Sequence, residues 1–339
     1  MEVMDMSRVG EAVVAVNRDA YVLRPDGTQI TQTTATRGIV KSLELLDVEL
    51  GMNVLEIGTG SGYSTALLEY LVGNGGTIVS IDIEPEMTER AKRLFQGRSH
   101  LSFVTKDGRQ GYKQGMPYDR IVAWATAQYL PSEWVEQIKD RGMIVAPFKV
   151  SPVADTTVIA RFMKNGESMQ GDMVVPGGYI LMNDTPHYET FGPEMDADFV
   201  LKEGDEVVTW VSTEWLRKGE ETKEWVEMLR KARPKAPLIE GGDEANQFRA
   251  FLLAMLPDGL TTAYLHRTFF IGISDPSGFA LIDLDGQMYL EEGSKEIANR
   301  MENLTIQWVN TGKPSYESMR PVIRTNGDKS WVRLELKNS

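Results

Sequence analysis

The chain has 339 residues, 42% of them hydrophobic, which is enough apolar material to bury two cores. It has no cysteine, which excludes disulfides and thiolate metal sites, so no metal is expected; 36 Lys and Arg against 49 Asp and Glu give a formal net charge of −13, which argues against a nucleic-acid partner unless basic residues gather on one face. No apolar run is long enough to span a bilayer and the acidic start Met1-Glu-Val-Met-Asp-Met6 is unlike a secretory signal, so a cytoplasmic protein with no membrane partner is expected.

The first strongly patterned segment is Asn53-Val-Leu-Glu-Ile57, an apolar strand that runs into Gly58-Thr59-Gly60-Ser61-Gly62 and then, from Tyr63, into an apolar helix. Three alternating glycines permit positive φ and let backbone amides approach a ligand without an intervening Cβ. A dinucleotide fingerprint would need glycine where Tyr63 stands, and a phosphate-binding P-loop would need a Gly-Lys-Ser/Thr ending that is absent. Glu56 adds a negative charge before the turn, which disfavours a pyrophosphate and suits a cationic cofactor, S-adenosylmethionine. The competing reading is a structural turn without a ligand.

The next segments extend a βα unit. Thr77-Ile-Val-Ser-Ile-Asp-Ile83 reads as a buried strand, and Pro85 opens a helix through Met87, Ala91 and Leu94. Asp82 then lies at a strand end about twenty residues past the turn, placed to accept both ribose hydroxyls, with Ile83 beside it; a solvated acidic strand end is the alternative. Leu101–Thr105 is a third strand ending at Lys106-Asp107-Gly108-Arg109, where Asp107 can accept from an adenine amine and Gly108 lies alongside. Tyr118–Ala123 is a fourth strand, Pro131 opens a helix containing Trp134 and Ile138, and Gly142–Phe148 is a fifth strand. Strands alternating with helices predict an α/β, doubly wound, Rossmann-like parallel sheet, with Gly58 to Gly62, Asp82 and Asp107 all beyond the carboxyl ends of the strands.

Beyond Met182 the pattern changes. Pro186 and Gly192-Pro-Glu-Met-Asp-Ala-Asp198 read as a join. Glu206–Ser212 suggests a strand, and Asp243 is placed to cap a helix carrying Phe248, Phe251, Leu252 and Met255, stopped by Pro257. Phe269–Ser274 and Gly278–Leu284 flank the turn Asp275-Pro-Ser-Gly278, and Asp285-Gly286 leads to Met288 and Leu290. A helix around Ile297–Leu304 and a closing pair, Pro321–Arg324 and Trp331–Leu336 across Asn326-Gly327, complete an α+β module. The expected domains are 1–185 and 195–339. His100, His187 and His266 are scattered and are expected to be structural or exposed.

From about Tyr21 to Phe148, and more loosely to Met182, the chain resembles the protein-L-isoaspartate O-methyltransferases. The resemblance rests on Val54-Leu-Glu-Ile-Gly-Thr-Gly-Ser-Gly-Tyr63, on Asp107-Gly-Arg-Gln-Gly-Tyr112 followed by Pro117-Tyr-Asp119, and on Gln29-Ile-Thr-Gln32. It implies a class I methyltransferase that uses S-adenosylmethionine and releases S-adenosylhomocysteine, with Glu56, Gly58, Thr59, Gly60, Ser61, Gly62, Tyr63, Asp82, Ile83, Asp107 and Gly108 at the cofactor. It also implies an acceptor side at Ile30, Thr31, Gln32, Trp124, Ala125 and Thr126. Thr31 stands where the family usually has a serine that contacts the acceptor carboxylate, and is the expected catalytic residue. Trp124 stands where the family has glycine, either reshaping the acceptor pocket or packing as core. An acceptor carboxylate with a pKa of roughly 4 is already ionised at neutral pH, so methyl transfer asks for alignment and desolvation rather than a general base.

Repair enzymes of this family are usually single domains ending near the position of Met182. The longer chain resembles extended homologues associated with ribosomally made peptides, namely lasso peptides, graspetides and lanthipeptides. That implies O-methylation of one aspartate in a specific peptide, lasso-type as first expectation, followed by closure to a succinimide. General isoaspartate repair is the alternative, and a non-catalytic binding protein built on the cofactor fold is a third reading. The extra module is either a substrate-recognition domain or an accessory for stability or dimerisation.

Overall fold

The computed structural model describes residues 6–31, 33–184, 193–218, 222–291 and 295–337. The chain forms two compact units, one of residues 1–148, 158–188 and 321–332, the other of residues 149–157, 189–320 and 333–339. The sequence suggested a single join near residue 190, whereas each unit takes in a piece from the far side of that join. Of the predicted join, Pro186 and Gly192 lie outside the described residues, while Pro193–Asp196 forms a short 3-10 helix.

In the first unit, α1 (Arg8–Ala15), α2 (Asp19–Val22) and α3 (Thr36–Leu46) precede β1 (Asn53–Ile57). The α3 helix buries Ile39, Leu43 and Leu46, a three- and four-residue spacing that puts one apolar stripe on the core. There follow α4 (Tyr63–Val72), β2 (Thr77–Asp82), α5 (Pro85–Leu94), β3 (Leu101–Thr105), β4 (Tyr118–Ala123), α6 (Ser132–Gln137), β5 (Ile138–Lys149), β6 (Thr157–Asn165) and β7 (Ser168–Pro176). The seven strands form one sheet in the order β3-β2-β1-β4-β5-β6-β7. Pairing is parallel from β3 through β5, as expected for βα alternation. The sheet as a whole is mixed, because β6 and β7 are joined across Gly166 and Glu167 and so can only pair antiparallel. The order reverses between β1 and β4, the crevice where ligands of such sheets bind. Two local expectations change: α6 ends at Gln137, so Ile138 opens β5, and β5 is longer than Gly142–Phe148.

The second unit holds a seven-stranded sheet in the order β10-β14-β13-β12-β11-β9-β8. Its strands are β8 (Phe199–Glu203), β9 (Glu206–Ser212), β10 (Pro234–Pro237), β11 (Leu260–Leu265), β12 (Thr268–Asp275), β13 (Gly278–Asp283) and β14 (Gln287–Leu290), paired antiparallel. Helices α7 (Thr222–Lys231), α8 (Asp243–Met255) and α9 (Lys295–Asn310) accompany it. Asp243 is the first residue of α8, not its cap: Gly242 takes the cap position at φ 66, and the carboxylate sits in the first turn, where it favours the positive helix end. The core is aromatic, with Phe248 5.4 Å from Trp308 and Trp225 5.5 Å from Phe279 between ring centroids. Strands β15 (Met319–Asn326) and β16 (Lys329–Leu336) form a two-stranded hairpin.

Residues 149–157, which link β5 to β6, are bound throughout to partners of the second unit. Lys149 pairs with Asp196, the Ala154 amide donates to Ser212 Oγ at 2.9 Å, and Thr262 Oγ1 donates to the Ala154 carbonyl at 2.8 Å. Arg249 Nη2 lies 3.0 Å from Asp155 Oδ2, and Arg333 Nη1 donates to the Val150 carbonyl at 2.8 Å. Val150, Val153, Ala154 and Thr156 are buried.

Candidate active site at the strand carboxyl ends

The glycine turn closes on its neighbours through backbone bonds that only a glycine-rich path can make. Gly58, Gly60 and Gly62 have φ of 96°, 48° and 83°. The amides of Gly58 and Thr59 donate to the Ile81 carbonyl at 2.7 and 3.1 Å, and the Gly62 amide donates to the Thr59 carbonyl at 2.9 Å. Thr59 is buried, its hydroxyl 2.7 Å from Ser80 Oγ.

Asp82 stands where the sequence placed it, at the carboxyl end of β2. Its Oδ2 accepts from the Gly60 amide at 2.8 Å and its Oδ1 from the Glu84 amide at 2.9 Å, so one carboxylate fixes both the glycine turn and the start of α5. Burial pushes its pKa up from the ordinary value, against the pull of those amides. Ile83 is half-buried next to it. Across the strand ends, Asp107 Oδ2 pairs with Arg109 Nη2 at 2.7 Å; burial raises the Asp107 pKa, but the Arg109 bonds outweigh it and hold the carboxyl below its usual value. Gly108 must be glycine for space, because a Cβ there would lie 2.3 Å from Ile57 Cγ2.

Several predicted site residues face inward instead. Glu56 is 0% exposed, and its carboxylate accepts from Ser64 Oγ at 2.6 Å, Ser80 Oγ at 2.7 Å, Trp124 Nε1 at 2.9 Å and the Thr65 hydroxyl. It is an interior anchor and not a charge presented to a cofactor; burial drives its pKa up while the four donors oppose the shift. Tyr63 is likewise buried in the core, so any ligand contact from it is limited to its backbone. Trp124 packs as core: it is buried, its indole is spent on Glu56, and its ring lies 5.8 Å from Tyr179. Thr126 is buried, its hydroxyl donating to the Tyr179 carbonyl at 2.7 Å and accepting from the Tyr179 amide at 3.0 Å. That clamp uses the group expected on the acceptor side, while Ala125 beside it is half-buried.

On the amino-terminal segment, Ile30 is fully buried and its amide donates to the Val22 carbonyl at 2.9 Å, so it anchors Thr31 rather than lining a pocket. Thr31 is exposed, and Gln32 lies outside the described residues. His100 faces Glu69 at 3.2 Å and His266 occupies the β11–β12 turn, while His187 is outside the described residues.

Two residues of the site escaped sequence reasoning. Arg90 on α5 donates to the Ser61 carbonyl at 2.7 Å and to the Tyr21 carbonyl at 2.6 Å, which ties the amino-terminal segment to the glycine turn. Its partners are main-chain carbonyls, which carry no residue identity, so no sequence pattern announces the contact. Glu84 is 5% exposed, and its Oε2 is buried with no protein partner, an unsatisfied acceptor two residues from Asp82. An acid directly before the helix-opening Pro85 was the available signal. Among the described residues no group of His, Asp or Glu is placed to hold a metal ion, and no helix is long and apolar enough to cross a membrane.

A profile described as protein-L-isoaspartate(D-aspartate) O-methyltransferase matches residues 2–185. The chain belongs to this family. It is similar to the protein-L-isoaspartate O-methyltransferase of Methanococcus maripaludis strain C5, 38% identical over 136 residues, which cover 39% of this chain and 64% of the relative. With the Ignicoccus hospitalis enzyme of the same name it is 30% identical over 185 residues, covering 51% of this chain and 87% of the relative. Alignments to the first such relatives thus span a little under two thirds of their length. A solved structure titled protein-L-isoaspartate O-methyltransferase shares the fold at a TM-score of 0.51 and 18% identity, covering 98% of this chain and 95% of that one. The fold beyond residue 185 is therefore shared with at least one solved structure.

Proposed function

We propose that this chain is an S-adenosylmethionine-dependent carboxyl O-methyltransferase that esterifies an isoaspartyl or aspartyl carboxylate in a polypeptide. The observation that carries this reading is that the glycine turn, Asp82 and Asp107 follow the carboxyl ends of the adjacent parallel strands β1, β2 and β3 in a chain of this family. The residues suit the cofactor: Asp82 is fixed by two amides yet keeps lone pairs for ribose hydroxyls, and Asp107, held by Arg109 beyond the end of β3, offers acceptor oxygens to an adenine amine. When bound, S-adenosylmethionine supplies an electrophilic methyl group, whose bond to sulfur breaks as the carboxylate oxygen takes it, leaving S-adenosylhomocysteine.

The chain's own part is positioning. Thr31 offers a hydroxyl that donates to the acceptor carboxylate and aims one of its oxygens, and Arg90 holds the segment that leads to Thr31 against the glycine turn. An ionised carboxylate needs no proton removed, so the transfer calls for alignment rather than a general base. The resulting ester has methanol as leaving group, so attack by the following backbone nitrogen closes a succinimide. A second reading, a single dedicated peptide of ribosomal origin whose succinimide is retained, draws on Thr31 standing where the family usually has serine.

Paired variants test the assignment. Asp82→Ala is expected to weaken S-adenosylhomocysteine binding roughly 100-fold by calorimetry, whereas Thr31→Ala leaves that affinity intact and lowers peptide methylation by about tenfold. Equal effects of both on cofactor binding would contradict the roles. The pH dependence carries a definite sign. The ionised Asp82 is the ribose acceptor, so affinity is full above its raised pKa and falls as pH drops through it, beginning above the ordinary carboxylate value of about 4. The Asp82→Ala variant should lose that pH dependence.

A further inference from the structure

Residues 321–332 lie outside the stretch matched by the family, yet they belong to the same compact unit as the glycine turn. They form the distal half of the β15–β16 hairpin, turned at Gly327, whose φ is 62°. This tip is fixed to the loop that follows β4. The Leu130 amide donates to the Ser330 carbonyl at 2.8 Å, and the Tyr129 ring meets the edge of Trp331 at 6.3 Å and 66°. Lys329 Nζ stands 5.4 Å from the Tyr129 ring centroid. At the base of the tip Pro321 packs so close to Gly171 that a Cβ there would lie 2.0 Å from its carbonyl oxygen.

The same loop begins at Trp124, at the carboxyl end of β4, and Ala127 pairs with Phe148 near the carboxyl end of β5, so Tyr129 and the hairpin tip lie on the side of the sheet where the strands end in their carboxyl termini. Tyr129 also acts electrostatically on Arg109, whose guanidinium grips Asp107 first and feels Tyr129 and Asp184 more weakly. Gln128, Asp328 and Lys329 are exposed, Tyr129 and Trp331 half-buried. Lys329 is thus an exposed cation held at the half-buried ring of Tyr129, which itself packs against Trp331. Such a surface suits a peptide, whose backbone stacks on aromatics while a side chain meets the charge.

We propose that the hairpin tip is a second wall of the acceptor site, with Tyr129 and Trp331 supporting the acceptor peptide and Lys329 selecting an acidic residue beside the methylated carboxylate. This rests on the carboxyl methyltransferase reading above. The step it modifies is recognition, with no new chemistry.

The test uses the full chain and two short synthetic isoaspartyl peptides that differ only in having Glu or Lys next to the isoaspartate. Fluorescence anisotropy of each peptide, with S-adenosylhomocysteine present, is measured for the parent and for Lys329→Glu, an exposed change that spares the fold. The expected result is a preference of the parent for the Glu peptide, and a change in the ratio of the two affinities of roughly tenfold toward the Lys peptide in the variant. Trp331→Ala should weaken both peptides alike, with cofactor affinity unchanged. An affinity ratio identical in parent and Lys329→Glu overturns the inference, as does the lack of peptide binding by a parent that binds S-adenosylhomocysteine. Peptides that bind with the predicted selectivity but are never methylated would strike the catalytic reading and leave the recognition surface standing.

Discussion

A chain ending after Asn183 is expected to be recovered only in aggregated form. The β5–β6 link at residues 149–157 belongs to the second unit, most of which a cut after Asn183 removes. Cutting there deprives Lys149, whose side chain is 4% exposed, of Asp196, and removes the partners of Asp155, Ala154 and Val150. A buried charge stripped of its partner costs about 3–5 kcal/mol, and each buried polar group left unsatisfied about 1–3 kcal/mol. Their sum approaches the whole stability of an ordinary domain, roughly 5–15 kcal/mol. The loss of Ser330 further frees the Leu130 amide. Solubility after expression and thermal melting by circular dichroism check this. A soluble truncated chain that melts cooperatively within about 5 °C of the parent would show the link to be self-sufficient.

Replacing Glu56 with alanine is expected to lower stability by about 3–5 kcal/mol, a fall in Tm on the order of 10 °C. Three hydroxyls and an indole N–H converge on this carboxylate in a site closed to solvent. The hydroxyls of Ser64, Thr65 and Ser80 can rotate toward other acceptors, but the Trp124 indole is a donor only and is fixed by the ring. Glu56→Gln should therefore cost less than Glu56→Ala, since its carbonyl can serve Trp124 while the hydroxyls reverse to accept. If Glu56 instead presented its charge to a cofactor, Glu56→Ala would weaken S-adenosylhomocysteine binding while melting within about 2 °C of the parent.

Elements in which one periodicity dominates were legible from the residues. Strands β1 to β4 and β9 fall where continuous or alternating apolar runs put them, and α5 begins at the predicted Pro85. The antiparallel return of β6 and β7 was not legible, because Thr157–Pro176 carries mixed polar and apolar residues without a strong alternation. Within the site, the glycines of the turn have positive φ and Asp82 ends its strand, both as read from the sequence, whereas the close packing of Gly108 on Ile57 had no sequence signal. Orientation was what the sequence withheld. Glu56 and Trp124 sit beside the glycine turn in space, but strand alternation and the depth of the turn point them into the core, where they satisfy each other. Long-range pairings such as Leu130 with Ser330 have no local signature at all, which is why the hairpin tip emerged only from the fold.

This chain is expected to transfer a methyl group to an aspartyl or isoaspartyl carboxylate of a polypeptide. The most direct measurement is incubation with S-adenosylmethionine labelled in its methyl group and two peptides identical but for Asp or isoAsp at one position, followed by mild base and capture of volatile label. The account predicts base-labile label, released as methanol, from at least one of the two peptides. A base-stable methyl group, or no transfer to either peptide by a protein that binds S-adenosylhomocysteine, would contradict it.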